Sequence, residues 1–162
     1  MRLSLAISAP SPLWRRLPRA RTMARETIEA CVAESGVAAR EGAEVSLLLA
    51  DDTEIRALND RWRGQDKPTN VLSFPAAPAD RLVAAPALGD IALAFETLAR
   101  EAEASGVPLA DHYRHLVTHG FLHLIGYDHQ TDEEAERMEA LEKRILARLG
   151  VADPYADGAV LE

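Results

Sequence analysis

Three histidines, His119, His123 and His129, stand within eleven positions of one another. His119 and His123 are four residues apart, which places their side chains one turn apart on the same side of a helix. Gly126 lies between the second and third histidines and can end that helix in a left-handed conformation that other residues adopt only at a cost. The chain can then turn back. The sequence therefore predicts three imidazoles that converge on one point.

Imidazoles in this arrangement are typical ligands of divalent transition metals, above all zinc. A zinc site with three protein ligands keeps a fourth position for water, and the ion lowers the pKa of that water from ~15.7 to ~7. The alternative is that two histidines four apart on a helix are ordinary packed or solvated residues. The third histidine beyond a glycine favours the metal. We predict one zinc ion held by His119, His123 and His129.

Two further histidines, His112 and His115, lie on the same helical stripe. His115 is two turns from His123, about 12 Å along the axis, so one ion cannot hold both. We expect His115 to support the ligands from behind or to face a substrate, where it is the candidate proton donor for a leaving oxygen; the alternative is simple exposure to solvent. For His112 we expect no role beyond solvation.

The spacing of the three ligands equals that of the metzincin zinc peptidases. Those enzymes place a glutamate directly after the first histidine as the general base. Here that position is Gly120, which carries no transferable proton. A zinc metallopeptidase-like hydrolase is therefore the alternative function, and the missing general base argues against it.

The ligand-bearing helix is predicted over 109–125, after Pro108. Periodicity and caps predict a first helix that starts near residue 11 or only near 19 and ends at Ser35, and further helices near 52–63, 96–104 and 132–149. Strands are predicted at 2–8, 44–50, up to Phe74 and at 88–94. Four strands interleaved with about five helices predict an α/β (α+β) fold, with a small mixed four-stranded sheet packed against the helices. We expect a single domain over 1–162. Strand order does not follow from the sequence.

Local patterns make finer predictions. Asp51 should cap the second helix, whose inner face should carry Ile55, Leu58 and Trp62. Thr131 should open a capping box with Glu134 at the start of the last helix, whose acidic first turns should face solvent. The segment 76–87, rich in alanine and proline, should be a mobile loop.

Composition limits the environment of the chain. A single cysteine, Cys31, excludes an internal disulfide and fits a reducing cytosol. No apolar run approaches the ~20 residues that span a bilayer. We expect a cytoplasmic protein without a membrane partner.

The net charge of −8 opposes nucleic-acid binding by the surface as a whole, because phosphate contacts need cationic side chains. The charge is uneven, however. Six arginines precede the first acidic residue, Glu26: Arg2, Arg15, Arg16, Arg19, Arg21 and Arg25. They form either a basic patch for RNA or an ordinary solvated face. The same stretch has the composition of an organelle transit peptide, which the strand-like alternation at 2–8 disfavours.

Two segments carry a family resemblance. The string H-G-F-L-H-L-I-G-Y-D-H at 119–129 resembles the YbeY family of bacterial metal-dependent endoribonucleases. The string R-G-Q-D-K-P-T-N-V-L-S-F-P at 63–75 holds every fixed letter of that family's R-G-x-D-x-x-T-N-V-L-S-F-P, and L-G-D-I at 88–91 is similar to a third family segment. The resemblance is clear from about residue 44 to 150.

The resemblance implies a zinc-dependent endoribonuclease specific for single strands. It would mature the 3′ end of 16S ribosomal RNA and act on defective ribosomes, with ribosomal RNA and the small ribosomal subunit as partners and no DNA. A non-catalytic ribosome-assembly factor with structural zinc is the alternative, although structural sites usually have four protein ligands.

The resemblance also implicates Arg63 in the activity. By its chemistry Arg63 offers a planar fork to a phosphate and Lys67 a point charge. The residues alone favour an ordinary helix-to-strand connection, and the resemblance favours the phosphate site. Asp90 is expected either to orient a metal-binding histidine through its carboxylate or to cap a turn.

Overall fold

The computed structural model describes residues 1–156. Four strands form one sheet: β1 (Ser4–Ser8), β2 (Glu44–Ala50), β3 (Val71–Pro75) and β4 (Ala87–Ala94). The α-helices are α1 (Ala20–Ser35), α2 (Asp52–Arg63), α3 (Phe95–Ser105), α4 (Leu109–Leu124) and α5 (Asp132–Arg148). Short 3₁₀ helices form at Pro12–Arg16 and Ala79–Ala84. The predicted α/β fold with a four-stranded sheet is confirmed.

The sheet has the strand order β1-β2-β4-β3. β1, β2 and β4 are parallel, whereas β3 runs antiparallel to β4 and forms an edge, so the sheet is mixed as predicted. Side chains alternate between the two faces. One face packs against the main core beneath α1 and α4, while the other is covered in part by α2, through Ile55 against Leu72 and Ala92.

The central element is α4, the helix that carries two of the predicted ligands. Eleven of its sixteen residues are buried, because it lies between the sheet and α1, α3 and α5. Tyr113 is fully buried near its start and donates its hydroxyl hydrogen to the Ala20 carbonyl at 2.8 Å. Trp14 packs edge-on against Tyr113 and Phe95. Each such ring contributes roughly 1.5–3 kcal/mol by its burial, so α4 is a firmly held platform.

α4 comes closest to the sheet at Gly120. An added Cβ there would lie 2.9 Å from Ile91 Cγ2 and 3.2 Å from Ser73 Oγ. The Ser73 hydroxyl uses this proximity to donate to the Gly120 carbonyl at 2.9 Å. A larger side chain at this position therefore requires the side chains of Ile91, Ser73 and Val71 to shift.

This crowding makes Gly120→Ala a test of the packing. The methyl group should cost about 1–3 kcal/mol through overpacking, against a gain of about 1 kcal/mol from helix propensity. We therefore expect the free energy of unfolding, measured with urea, to fall by up to about 2 kcal/mol. A variant more stable than the parent protein would show that α4 does not contact β3 this closely.

Several local predictions are confirmed. The Asp51 carboxylate accepts from the Glu54 amide at 2.8 Å at the start of α2, and the Thr131 hydroxyl accepts from the Glu134 amide at 3.1 Å at the start of α5. Gly126 has φ +103° directly after α4, within the range that favours glycine.

Two local predictions are wrong. Trp62 is 62% exposed, because α2 covers only part of its sheet face and its last turn borders an open cleft that Leu58 and Phe74 also line. The segment 76–87 is not a loop throughout: Ala79–Ala84 forms a 3₁₀ helix whose Leu82 is buried. A single short turn has too little periodicity to be recognised in a sequence.

Candidate metal centre

The structure brings His119, His123 and His129 together at the C-terminal end of α4. One ring nitrogen of each lies within 4.8 Å of those of the other two. The Nε2 atoms of His119 and His123 are 3.1 Å apart. This group could hold a metal ion, and it consists of the three histidines that the sequence predicts.

The turn after α4 brings the third imidazole into place. The Tyr127 amide donates to the Leu122 carbonyl at 3.0 Å, which folds the chain back over the helix end. The Asp128 carboxylate accepts from the His129 amide at 2.8 Å. At Gly126 an added Cβ would lie 2.6 Å from Ala79 Cβ, so both the backbone conformation and the available space favour glycine.

Hydrogen bonds set the orientation of the two helical rings. His119 Nδ1 lies 2.7 Å from Glu142 Oε1, and His123 Nδ1 lies 2.9 Å from the Tyr127 carbonyl oxygen. Carboxylate and carbonyl oxygens only accept, so each Nδ1 carries a hydrogen, and Nε2 is the atom that each ring can offer to a metal. Both Nε2 atoms point into the space between the three histidines.

The donor set fits a metal cation. Burial, reinforced by the positive charges that His119 and His129 can carry, lowers the pKa of His123 to about 4, so this ring is neutral near pH 7. Two lone pairs 3.1 Å apart repel each other unless a proton or a metal ion lies between them. Tetrahedral zinc with Zn–N bonds of about 2.0–2.1 Å needs nitrogens about 3.3 Å apart, close to the separation found.

The centre opens to solvent on one side. His119 is 3% exposed, His123 is half-buried and His129 is exposed. Within residues 1–156 no fourth histidine, cysteine or carboxylate joins the group. Three protein ligands with an open side are typical of catalytic rather than structural zinc sites.

The exposed side faces a depression of about 500 Å³. Arg63 lines it as well, together with Val71, Ser73 and Pro75 of the edge strand β3 and residues of the 126–130 turn. Arg63 is exposed at the end of α2 and forms no ion pair within the described residues. Its guanidinium group is therefore available to a ligand in the depression.

The loop after Arg63 is fixed by α2. The Asn59 amide group, which is buried, donates to the Lys67 carbonyl at 2.9 Å, and Arg56 forms a bidentate pair with Asp66. Lys67, which we considered as a second phosphate ligand, does not line the depression.

His115 lies behind the ligands and not in the depression. It is 5% exposed, and its Nε2 lies 3.1 Å from both Glu142 Oε2 and the Tyr155 hydroxyl. The ring therefore contacts the network that supports His119. Of the two roles expected for His115, this position fits support from behind, because the ring lies away from the depression that a substrate can reach.

The prediction that His112 is merely solvated is wrong. Its ring is largely buried, and its Nε2 lies 2.8 Å from Glu101 Oε1 of α3. Glu101 also accepts from the Asn70 side chain at 3.1 Å. Burial raises the pKa of Glu101, but the hydrogen bonds from His112 and Asn70 outweigh it and lower the pKa. No local pattern connects these elements, so the sequence could not predict this contact.

Asp90 does not orient a metal-binding histidine. It is exposed on the opposite face of the sheet, where it borders the cleft beside Trp62. The carboxylate that binds one of the three histidines is Glu142 of α5, for which the sequence made no prediction. A recognisable pattern existed, because Glu142 lies on the inward stripe with Met138 and Ile145, where a charged residue needs a partner.

Three of the six N-terminal arginines bind their own chain. Arg21 donates to the Ile7 carbonyl at 2.6 Å, the Arg16 guanidinium lies 5.1 Å from the centre of the Phe95 ring, and Arg19 pairs with Glu26. For these three the structure favours the ordinary helical face over an RNA-binding patch. None of the helices formed by residues 1–156 is long and apolar enough to cross a membrane.

Comparison with known proteins agrees with the geometry. The family model described as Endoribonuclease YbeY matches residues 15–150. The chain is 46% identical to an endoribonuclease YbeY of Methylocella silvestris over 97% of this chain and 88% of the relative. It is 60% identical to one of Rhizobium meliloti over 72% of this chain and 70% of the relative.

A solved structure shares the fold. The solution structure of TM1509 from Thermotoga maritima matches with a TM-score of 0.53 and 24% identity, over 98% of this chain and 100% of that one. The family match over most of the chain and the relatives at 46% identity or more are decisive: the chain belongs to the YbeY endoribonuclease family.

Proposed function

We propose that this chain, acting as a single domain, is a zinc-dependent endoribonuclease that cleaves single-stranded RNA. The observation that carries the proposal is that Arg63 and the three histidines line one depression. Zinc held by His119, His123 and His129 would supply a Lewis acid for a phosphoryl oxygen and lower the pKa of a water molecule to ~7.

Other residues of the chain bind the substrate and support the metal ligands. Arg63 binds the non-bridging oxygens of the scissile phosphate through its planar fork and stabilises the negative charge that grows there during cleavage. The edge strand β3, which lines the same depression, forms the surface on which an extended strand of RNA lies. For His115 we propose the supporting role and not proton donation, because its ring lies behind His119.

We further propose that the substrate is ribosomal RNA in the cytoplasm, at the 3′ end of the 16S molecule and in defective small ribosomal subunits. Membership of the YbeY endoribonuclease family supports this substrate class. The net charge of −8 fits recognition at a local site better than tight binding along a duplex, and no DNA partner is expected.

The proposal predicts a metal-dependent nuclease without peptidase activity. The purified protein with zinc should cleave a ribosomal RNA fragment with an unpaired 3′ end, and a chelator should stop cleavage until zinc is restored. Casein should remain intact under both conditions, because Gly120 stands where the peptidases have their general base and supplies none. Hydrolysis of casein with intact RNA would instead support the metallopeptidase alternative.

Removal of the metal should leave the protein folded, because α4 is held by the core and not by the ion. A ligand at about 100 times its Kd stabilises by about 2.7 kcal/mol, which corresponds to about 5–10 °C in Tm for a chain of this size. Thermal melting with chelator should show that decrease and a single cooperative transition. A chain that unfolds at room temperature in chelator would support the assembly factor with structural zinc.

A further inference from the structure

We propose that Glu142, fixed by Tyr155 and His115, is the positioning residue of the metal ligand His119, so that the segment after α5 helps to hold the metal. The inference rests on the metal centre of the proposed function. It concerns residues that neither line the depression nor belong to the ligand group.

Each oxygen of the Glu142 carboxylate has its own partners. Oε1 accepts from His119 Nδ1 at 2.7 Å. Oε2 accepts from His115 Nε2 at 3.1 Å and from the Tyr155 hydroxyl. The side chain is completely buried. The carboxylate thus connects a ligand histidine on one side to two supporting residues on the other.

The chain after α5 is anchored so that Tyr155 reaches this carboxylate. Val151 is buried, and its amide donates to the Leu146 carbonyl at 2.8 Å. The Asp153 carboxylate accepts from the Tyr155 amide at 2.8 Å, which turns the chain back towards α4. The Tyr155 ring then packs edge-on against His115, with 5.4 Å between the ring centres.

Burying a carboxylate costs folding free energy unless hydrogen bonds satisfy its lone pairs, so the burial of Glu142 needs an explanation. Within residues 1–156 no lysine or arginine pairs with Glu142; its partners are two imidazoles and a phenol. A carboxylate on the Nδ1 hydrogen fixes the tautomer of a ligand histidine, orients its ring and makes Nε2 a stronger donor to a metal. The alternative is that Glu142 only stabilises the packing of α5 on α4.

Zinc affinity separates these roles. In Glu142→Gln an amide replaces one carboxylate oxygen, and the negative charge that strengthens His119 as a donor is lost. We expect this variant of the full chain to bind zinc about 10- to 100-fold more weakly in competition with a chromophoric chelator. Tyr155→Phe removes one hydroxyl and alters the packing least. Its zinc affinity should fall by about tenfold, the lower end of that range. The absorption bands of the cobalt-substituted protein should shift in both variants.

Glu101→Gln is the matched control, because Glu101 binds His112 of the same helix but contacts no ligand. This variant should lose stability without losing zinc affinity. Equal zinc affinity and unchanged cobalt spectra in the parent protein, Glu142→Gln and Tyr155→Phe would overturn the inference, whatever their melting temperatures. If Glu142→Gln does not fold, the result for Tyr155→Phe decides. Zinc binding by the parent protein tests the centre itself, so its failure is distinguishable from failure of the positioning role.

Discussion

Arg63→Ala should lower the rate of RNA cleavage about 10²–10³-fold, the typical loss when one preorganised donor to the transition state is removed. The Arg63 side chain lines the depression, forms no ion pair within residues 1–156 and is not part of the core. Zinc content and Tm should therefore stay at the values of the parent protein. Single-turnover cleavage of a short single-stranded RNA, together with metal analysis, measures both properties.

Two neighbouring variants sharpen this test. Arg61→Ala removes the same charge two residues away, from a guanidinium group that lies 5.0 Å from the centre of the Trp62 ring, and it should cleave RNA almost normally. Arg63→Lys keeps the charge but loses the planar fork, so it should recover only part of the rate. Undiminished turnover in Arg63→Ala would remove Arg63 from the mechanism.

His129→Ala should abolish cleavage by removing the metal. His129 is the exposed member of the ligand group and lies in the turn beyond α4, so its loss should leave the core intact. Four-ligand zinc sites bind with ~10–16 kcal/mol in total, so one ligand is worth about 10²–10³-fold in affinity. Isothermal titration with zinc should show that loss, with a Tm in chelator equal to that of the parent protein.

The matched control is Gln130→Ala, because Gln130 is the next residue of the same turn and also lines the depression. This variant should bind one zinc ion with the affinity of the parent protein. Tight binding of one zinc ion by His129→Ala would show that the third imidazole is not a ligand.

The convergence of the three histidines was predictable because its determinants are local. Helical periodicity aligns His119 with His123, and the conformational freedom of Gly126 allows the reversal that brings His129 back. The caps at Asp51 and Thr131 follow from equally short-range rules. Each of these features depends on a stretch of about ten residues.

The residues that the sequence analysis missed depend on contacts between distant elements. Glu142 meets His119 across 23 positions, and Trp62 is exposed because α2 covers only part of the sheet. Periodicity gives the side of a helix that a residue occupies but not what lies opposite it. For the same reason the sequence shows that Gly120 cannot act as a general base, whereas only the fold shows that it packs closely against β3.

The most direct test is a crystal structure of the zinc-loaded protein with the anomalous signal of zinc. We predict one peak about 2.0–2.1 Å from a nitrogen of His119, His123 and His129, with a solvent molecule in the fourth position on the side of Arg63. A peak bound by other residues, or a fourth protein ligand that closes the site, would contradict the proposed catalytic centre.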